Sequence, residues 1–102
     1  MKIHFKGRWP DAVVPEGEPL WLFYEVCEST DVVTRMVEVF PSGASLRDSM
    51  LLAEREGFDA RHADQRSLVH GDFLHDAAQW LDVISEAEFD RAWQSATDKP
   101  RP

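Results

Sequence analysis

Two histidines and two aspartates between residues 70 and 76 form the local cluster whose residue types best suit metal chemistry. The run reads His70-Gly71-Asp72 and is followed by His75-Asp76. Imidazole and carboxylate groups are ligands for zinc and iron. The two histidines are five residues apart, however, whereas one face of a helix gathers residues three or four apart. The spacing therefore predicts a solvated loop, and we expect no metal and no cofactor.

Three charged residues, Glu25, Arg35 and Glu38, interrupt two otherwise apolar segments. A charge inside a sheet must be paired or solvated. One interpretation is a cross-strand ion pair, which contributes at most about 1 kcal/mol where it is exposed. The other is a polar sheet face that receives a ligand or partner, on which paired carboxylates would do acid–base work. Sequence spacing does not fix the distances between these side chains, so both interpretations stay open.

His4 and Cys27 carry the other reactive groups within predicted strands. His4 alternates with lysines and has no local carboxylate or nucleophile to make it a catalytic base, so we predict a surface histidine. Cys27 is the only cysteine, which excludes an intramolecular disulfide and a thiolate zinc site within one chain. Because Cys27 ends an apolar run, we expect a small buried side chain. We assign no catalytic residue.

Four tryptophans are many for a chain of 102 residues: Trp9, Trp21, Trp80 and Trp93. Aromatic side chains are enriched in interface hot spots, and they also fill small cores. Trp93 belongs to a predicted helical core stripe. Trp21 is the best candidate for an exposed aromatic contact.

Size and charge narrow the classes of function. With 43% hydrophobic residues, the chain has material for one core, and we predict a single domain over 1–97 with a tail at 98–102. The net charge of −8 disfavours nucleic acid and anionic membrane and suits a cationic protein partner, although such charge also simply aids solubility. No glycine-rich phosphate loop or hydrolase motif is present. Lacking an export signal or a long apolar run, the chain is expected to be cytoplasmic.

Alternating patterns predict three strands. Residues 2–8 alternate apolar with basic side chains, which indicates a half-buried strand with a basic face in solvent. Residues 20–27 and 32–40 are apolar on both faces and flank a polar turn, which predicts an antiparallel hairpin. In the second of these, strict alternation places Val33 and Val37 on the same face.

The remaining elements follow from turns and caps. The Pro-Ser-Gly turn at 41–43 favours a return strand over 44–52, although good helix formers leave a helix beginning at Ser45 as an alternative. Residues 54–65 are predicted to form a loop, 73–79 a short helix and 81–84 a short strand. Ser85 and Glu88 form a capping box before an apolar stripe at Phe89 and Trp93, which predicts a helix packed on the sheet.

Three segments form a recognisable pattern only when they are taken together: 22–26 (LFYEV), 34–43 (TRMVEVFPSG) and 84–93 (ISEAEFDRAW). Together they resemble a family of small bacterial domains of unknown function with Tyr-x-Glu, Arg-x-Val-Glu-x-Phe-x-x-Gly and Glu-Phe-x-x-x-Trp patterns. The tyrosine and glutamate are adjacent here, as Tyr24-Glu25. The resemblance covers most of the chain and implies no activity. Such domains are similar to small acidic proteins encoded near bacterial toxins. The resemblance implies that Tyr24, Glu25, Arg35 and Glu38 belong to the family pattern, for the fold or for the function.

We therefore predict an α+β domain with an antiparallel sheet of about four strands and a C-terminal helix packed on one face. The favoured function is non-enzymatic binding of a cationic protein, as in an immunity-type inhibitor of a toxin. The predicted partner-binding residues are Trp21, Tyr24, Glu25, Arg35 and Glu38. The alternative functions are a small enzyme or ligand-binding domain that uses the sheet charges, and a homodimer formed through the sheet.

Overall fold

A computed structural model of the chain describes residues 1–49, 74 and 79–98, in which a helix crosses one face of a six-stranded sheet. The elements are β1 (Lys2–Arg8), β2 (Trp21–Cys27), β3 (Val32–Val39), β4 (Ser45–Ser49), β5 (Asp82–Ile84), α1 (Glu86–Ser95) and β6 (Thr97–Asp98). The strand order is β5-β1-β2-β3-β4-β6, antiparallel except for the parallel pair β4–β6. The α+β class is confirmed, but the sheet is larger than the predicted four antiparallel strands and is mixed.

Apolar side chains pack on both faces of the sheet. One buried cluster consists of Phe5, Val26, Val33 and Met36. The other lies between the sheet and α1 and consists of Val37, Phe89 and Ala96. We call the face beneath α1 the helix face and the opposite one the distal face. Leu74 and Leu81 pack against the distal-face cluster, so neither face of the central strands is left bare.

A β-bulge in the hairpin of β2 and β3 changes which side chains share a face. The register shifts between Glu25 and Val26, and Thr34 is the extra residue of β3. A bulge sets two residues against one and reverses the alternation beyond it. The predicted grouping of Val33 with Val37 is therefore wrong, because Val33 packs in the distal-face cluster.

The turn at residues 41–43 leads into β4 as predicted. Gly43 has a φ of 92°, which glycine adopts without steric cost, and the N–H of Phe40 donates to the carbonyl of Ala44 at 2.8 Å. Ser45–Ser49 is a strand, so the helical alternative is not adopted there. The rest of the segment predicted over 44–52, the loop predicted over 54–65, and the helix predicted over 73–79 apart from residues 74 and 79 lie outside the described residues.

The helix α1 begins at the predicted cap and links the two edges of the sheet. The hydroxyl of Ser85 accepts from the N–H of Glu88 at 3.1 Å. The carboxylate of Glu88 accepts from Lys6 Nζ of β1 at 2.9 Å. It therefore binds the sheet and does not complete the capping box. Because β5 precedes α1 and β6 follows it, the helix runs from one edge strand to the other.

Within the described ranges, no helix has the length and apolar character needed to cross a membrane.

Candidate functional site

The carboxylate of Glu25 lies on the helix face and receives hydrogen bonds on both oxygens. Its Oε1 accepts from Thr34 Oγ1 at 2.8 Å and from Arg35 Nε at 3.0 Å. Its Oε2 accepts from His4 Nε2 at 3.0 Å and from Arg35 Nη2. Glu25 is only 6% exposed, so these donors replace the water it would otherwise bind. We call Glu25, His4, Thr34 and Arg35 the Glu25 cluster.

Three adjacent strands position the Glu25 cluster. The register pairs His4 of β1 with Glu25 of β2, and Glu25 with Arg35 of β3. In a regular strand Thr34 and Arg35 would point to opposite faces. The bulge allows both side chains to reach the same carboxylate, which explains how β3 supplies three of its hydrogen bonds.

The cluster keeps Glu25 ionised. Burial alone would raise the pKa of Glu25, but hydrogen bonds from Arg35, Thr34 and His4, together with the charge of Arg35, outweigh it and lower the pKa to about 2. The same pairing raises the pKa of Arg35. Because an ionised carboxylate only accepts hydrogen bonds, His4 Nε2 carries the proton of the bond it shares with Glu25.

The helix α1 covers the cluster with aromatic rings and one carboxylate. The guanidinium carbon of Arg35 lies 4.9 Å from the ring centroids of both Phe89 and Trp93, and Arg35 Nη2 donates to Asp90 Oδ1 at 3.4 Å. Cation–π contacts of this kind contribute about 0.5–1 kcal/mol or more when they are desolvated. Arg35 thus joins the sheet to the helix.

The predicted surface position of His4 is wrong. His4 is 6% exposed, and its ring centroid lies 5.1 Å from that of Phe89. Of the basic face of β1 that was expected in solvent, Lys2 and Arg8 are exposed. Around His4 and Lys6, in contrast, α1 packs on this face, and Lys6 pairs with Glu88. The signal in the sequence for this packing was the set of carboxylates on α1, since they complement the basic side chains of the sheet.

The Glu25 cluster is suited to fixing α1 on the sheet rather than to acid–base catalysis. A general acid or base works best with a pKa near the working pH, whereas Glu25 has a pKa of about 2. Its oxygens are already occupied by donors, and the side chain is buried. A substrate would have to displace α1 to reach it.

The five predicted partner-binding residues are divided between the two faces. Trp21, Glu25 and Arg35 lie on the helix face, where Lys6 Nζ is 5.6 Å from the Trp21 ring centroid. Tyr24 and Glu38 lie on the distal face, where burial, with a smaller contribution from Glu38, raises the pKa of Tyr24 to about 12. Trp21 was predicted as an exposed aromatic contact and the other four from the charged positions and the family pattern. The pleat of the strands separates them.

Cys27 is less buried than the sequence indicated. It ends β2 with an intermediate exposure, and its Sγ lies 3.3 Å from Ser29 Oγ. Hydrogen bonds from the Ser29 and Thr30 side chains, with smaller backbone contributions, lower the pKa of Cys27 to about 6. The thiolate is therefore the main form at neutral pH.

Asp48 is a buried charged residue that sequence reasoning missed. It is 1% exposed on β4, and its Oδ1 accepts from the N–H of Ser49 at 2.9 Å. The signal for its burial was its position in the strand, because Asp48 lies two residues after the apolar Leu46 and therefore falls on the same face.

His70 and His75 lie outside the described residues, as do the aspartates beside them. In residues 1–49, 74 and 79–98, no three His, Cys, Asp or Glu side chains are arranged to hold a metal ion.

The fold and the Glu25 cluster define a small α+β domain with a mixed six-stranded sheet closed by one helix. Searches of family models, of curated protein sequences and of solved structures each found no match. The resemblance to a family of small bacterial domains therefore stays a prediction.

Proposed function

We propose that the chain is a non-enzymatic protein-binding module whose acidic surface docks a cationic protein partner, as in an immunity-type inhibitor. The observation that carries the proposal is the way the charges are divided. Most basic side chains of the sheet form ion pairs inside the molecule, whereas three exposed acidic side chains of one loop form none within the described part of the chain.

The intramolecular ion pairs use most basic groups of the sheet. Lys2 and Arg35 pair with Glu25, Lys6 pairs with Glu88, and Arg47 pairs with Asp98; the distances lie between 2.5 and 3.5 Å. A partner therefore encounters a surface from which much of the positive charge has been withdrawn.

The loop between β1 and β2 presents three exposed acidic residues, Asp11, Glu16 and Glu18. Each lacks an ion pair within the described part of the chain. Val13, which is 78% exposed, lies between them in sequence. An apolar side chain with surrounding charges suits a protein interface, where the charges steer encounter and an apolar centre contributes affinity.

Within this proposal the predicted site residues have two roles. Trp21, Tyr24 and Glu38 retain partial exposure and are proposed as contacts. Glu25 and Arg35 act by holding α1 in place, which keeps the surface in one shape.

Pull-down from a lysate of the native host tests the proposal, with the captured protein then purified and its binding measured directly. A basic protein should bind the wild-type chain, and binding should weaken as salt rises. The variant Asp11→Lys/Glu16→Lys/Glu18→Lys should bind roughly tenfold or more weakly.

The matched control is Glu28→Lys/Asp82→Lys/Glu86→Lys, which makes the same change in net charge at exposed acids elsewhere. It should retain most of the binding. If the lysate yields no partner, or if both triple variants bind the purified partner as the wild type does, the proposal is wrong. A toxin gene beside the coding gene, and rescue from that toxin on co-expression, would establish the inhibitor role.

The enzyme alternative has less support because Glu25 is buried, satisfied and ionised. The enzyme alternative would regain support if the chain catalysed a reaction and the variant Glu25→Gln abolished that activity while keeping its fold. Light scattering distinguishes the homodimer alternative, since the proposed module needs no second copy.

A further inference from the structure

The strand β5 forms one edge of the sheet. It runs antiparallel to β1, with Val83 opposite Phe5, and it stands at the end of the strand order. An edge strand offers unpaired backbone N–H and C=O groups to an incoming strand. Val83 is 72% exposed and Asp82 beside it is exposed too, so the side chains at this edge are open to solvent.

The hydrogen bonds of β1 determine which backbone groups of β5 are available. The N–H of Trp9 donates to the carbonyl of Leu20 at 2.8 Å, and the N–H of Glu28 donates to the carbonyl of Met1 at 3.0 Å. Because bonded and non-bonded pairs alternate along an antiparallel ladder, odd-numbered residues of β1 bond to β2 and even-numbered ones bond to β5. Val83 is opposite an odd-numbered residue, so its N–H and carbonyl point to the open side of β5.

The side chains of β5 suit a strand in which apolar and basic residues alternate. The strand β1 already pairs with β5 in this way, since it places Phe5 opposite Val83 and Lys6 opposite Asp82. A strand added on the open side would lie beside the same two side chains of β5. Glu86, exposed in the first turn of α1, adds a second carboxylate after the strand. Within the described residues, neither Asp82 nor Glu86 forms an ion pair.

Charge decides between a basic peptide and a second copy of the chain as the added strand. Two copies paired through β5 would bring their Asp82 and Glu86 carboxylates to one edge, and like charges across paired strands destabilise. Each copy also has a net charge of −8. A peptide with lysine or arginine at alternate positions places cations beside these carboxylates instead. Because β5 has only three residues, the docked segment is short.

We propose that β5 docks an extended basic peptide segment of a partner protein by strand addition. One residue of the segment exchanges both backbone hydrogen bonds with Val83 and packs its apolar side chain beside it. The basic residues before and after it lie toward Asp82 and Glu86. This surface is separate from the acidic loop of residues 11–18 and does not rest on binding there. Each proposal can fail alone, because the loop variants and the edge variants change different residues.

A probe with the required alternation is the peptide Lys-Val-Lys-Val-Lys, amidated at its C-terminus and carrying a dye at its N-terminus. Fluorescence anisotropy against the full chain should give a Kd of roughly 0.1 to 1 mM, which rises with salt. In nitrogen-15 NMR of a valine-labelled chain, the amide signal of Val83 is identified by its loss in Val83→Thr. That signal should shift and saturate, and its exchange with solvent should slow about fivefold or more.

Two N-methylated forms of the peptide separate strand addition from simple charge attraction. Methyl groups on the backbone nitrogens of both valines block the edge that faces β5 when a valine pairs with Val83. Binding should then weaken roughly tenfold or more. Methyl groups on the backbone nitrogens of the second and third lysines block only the opposite edge, so binding should stay near that of the unmodified peptide. Both forms have the same charge and composition.

Two pairs of chain variants locate the site. Val83→Pro removes the outward N–H at an edge position where proline is tolerated and should weaken binding about tenfold or more, whereas Val83→Thr keeps the N–H and should bind within about twofold of the wild type. Asp82→Lys/Glu86→Lys should weaken binding about tenfold or more, whereas Asp11→Lys/Glu16→Lys, the same charge change on the loop, should weaken it less than about threefold. Circular dichroism of each variant reports whether its fold is retained.

The lack of saturable binding up to about 2 mM chain would overturn the proposal. Equal binding of the two methylated peptides, or equal losses in the two double variants, would overturn it as well. The methylated peptides need only the wild-type chain, so they decide the matter even if Val83→Pro does not fold. A dimer seen by light scattering that Val83→Pro dissociates would assign the edge to a second copy of the chain instead.

Discussion

At the scale of single residues, Glu25 determines how the sheet and helix are joined. Four side chains donate to its buried carboxylate, Lys2 Nζ being the most distant at 3.5 Å. Breaking a buried pair by removing one partner destabilises strongly, because it leaves an uncompensated charge. Glu25 is therefore the position at which a minimal change has the largest expected effect.

Replacement Glu25→Gln should lower the free energy of unfolding by about 3 kcal/mol at neutral pH. Arg35 then keeps its charge without its main partner. Urea unfolding followed by circular dichroism measures the change. Glu28→Gln, at an exposed carboxylate, should alter stability by less than about 0.5 kcal/mol. Equal losses in the two variants would contradict the role of the cluster.

Acid should remove the same stabilisation. Since the folded pKa of Glu25, about 2, lies below its ordinary value of 4.5, its contribution is fully present above about pH 4.5 and is lost as the pH falls through about 2. The shift corresponds to about 3 kcal/mol. Denaturation profiles against pH should therefore be less steep for Glu25→Gln than for the wild type between these values. Parallel profiles would refute the assignment.

Cys27 should react as a thiolate near neutrality. With its pKa lowered to about 6, alkylation by iodoacetamide should reach half its maximal rate near that pH. Ser29→Ala removes the leading hydrogen bond and should move the midpoint upward toward 9, the ordinary value. Mass spectrometry of quenched samples gives the rates, and an unchanged midpoint in Ser29→Ala would exclude Ser29 as the cause.

At the scale of elements, period-two alternation and the cap located β1, β2, β3 and α1, because these patterns depend on neighbouring residues. The predictions that failed concern contacts between residues far apart in the sequence, or shifts in the pairing of strands. The bulge at Thr34 cannot be read from a valine-rich run, since β-branched residues suit either face. The burial of His4 depends on α1 packing across β1 from the far end of the chain. The pairing of Glu25 with Arg35 was weighed as an ion pair, but its cover by α1 was not foreseen.

The start of α1 should depend on the hydroxyl of Ser85. Ser85→Ala removes the acceptor for the N–H of Glu88 and should cost about 1 kcal/mol. Ser85→Thr keeps an acceptor and should lower the stability by only a few tenths of a kcal/mol. Thermal denaturation compares the two variants, and an equal loss in both would show that the cap is not what matters.

At the scale of the whole molecule, β5, α1 and β6 form one continuous segment that supplies both edges of the sheet. One basic residue from each of β1, β3 and β4 has an acidic partner on or shortly after α1, through Lys6–Glu88, Arg35–Asp90 and Arg47–Asp98. Residues 82–98 therefore neutralise the helix face while they cover it. The resulting surplus of acid faces solvent, which is the surface that the proposed partner would meet.

Because that segment follows β1 to β4 in the chain, it is made after them. The hairpins of β1 to β4 join neighbours in sequence and can form early, whereas every contact of α1 with β1 closes a long loop. Mutations on α1 should then mainly speed unfolding, with φ-values near zero, while those in the hairpin of β2 and β3 should slow folding. During synthesis on a ribosome, the buried carboxylate of Glu25 would wait for its cover until the residues of α1 have been made.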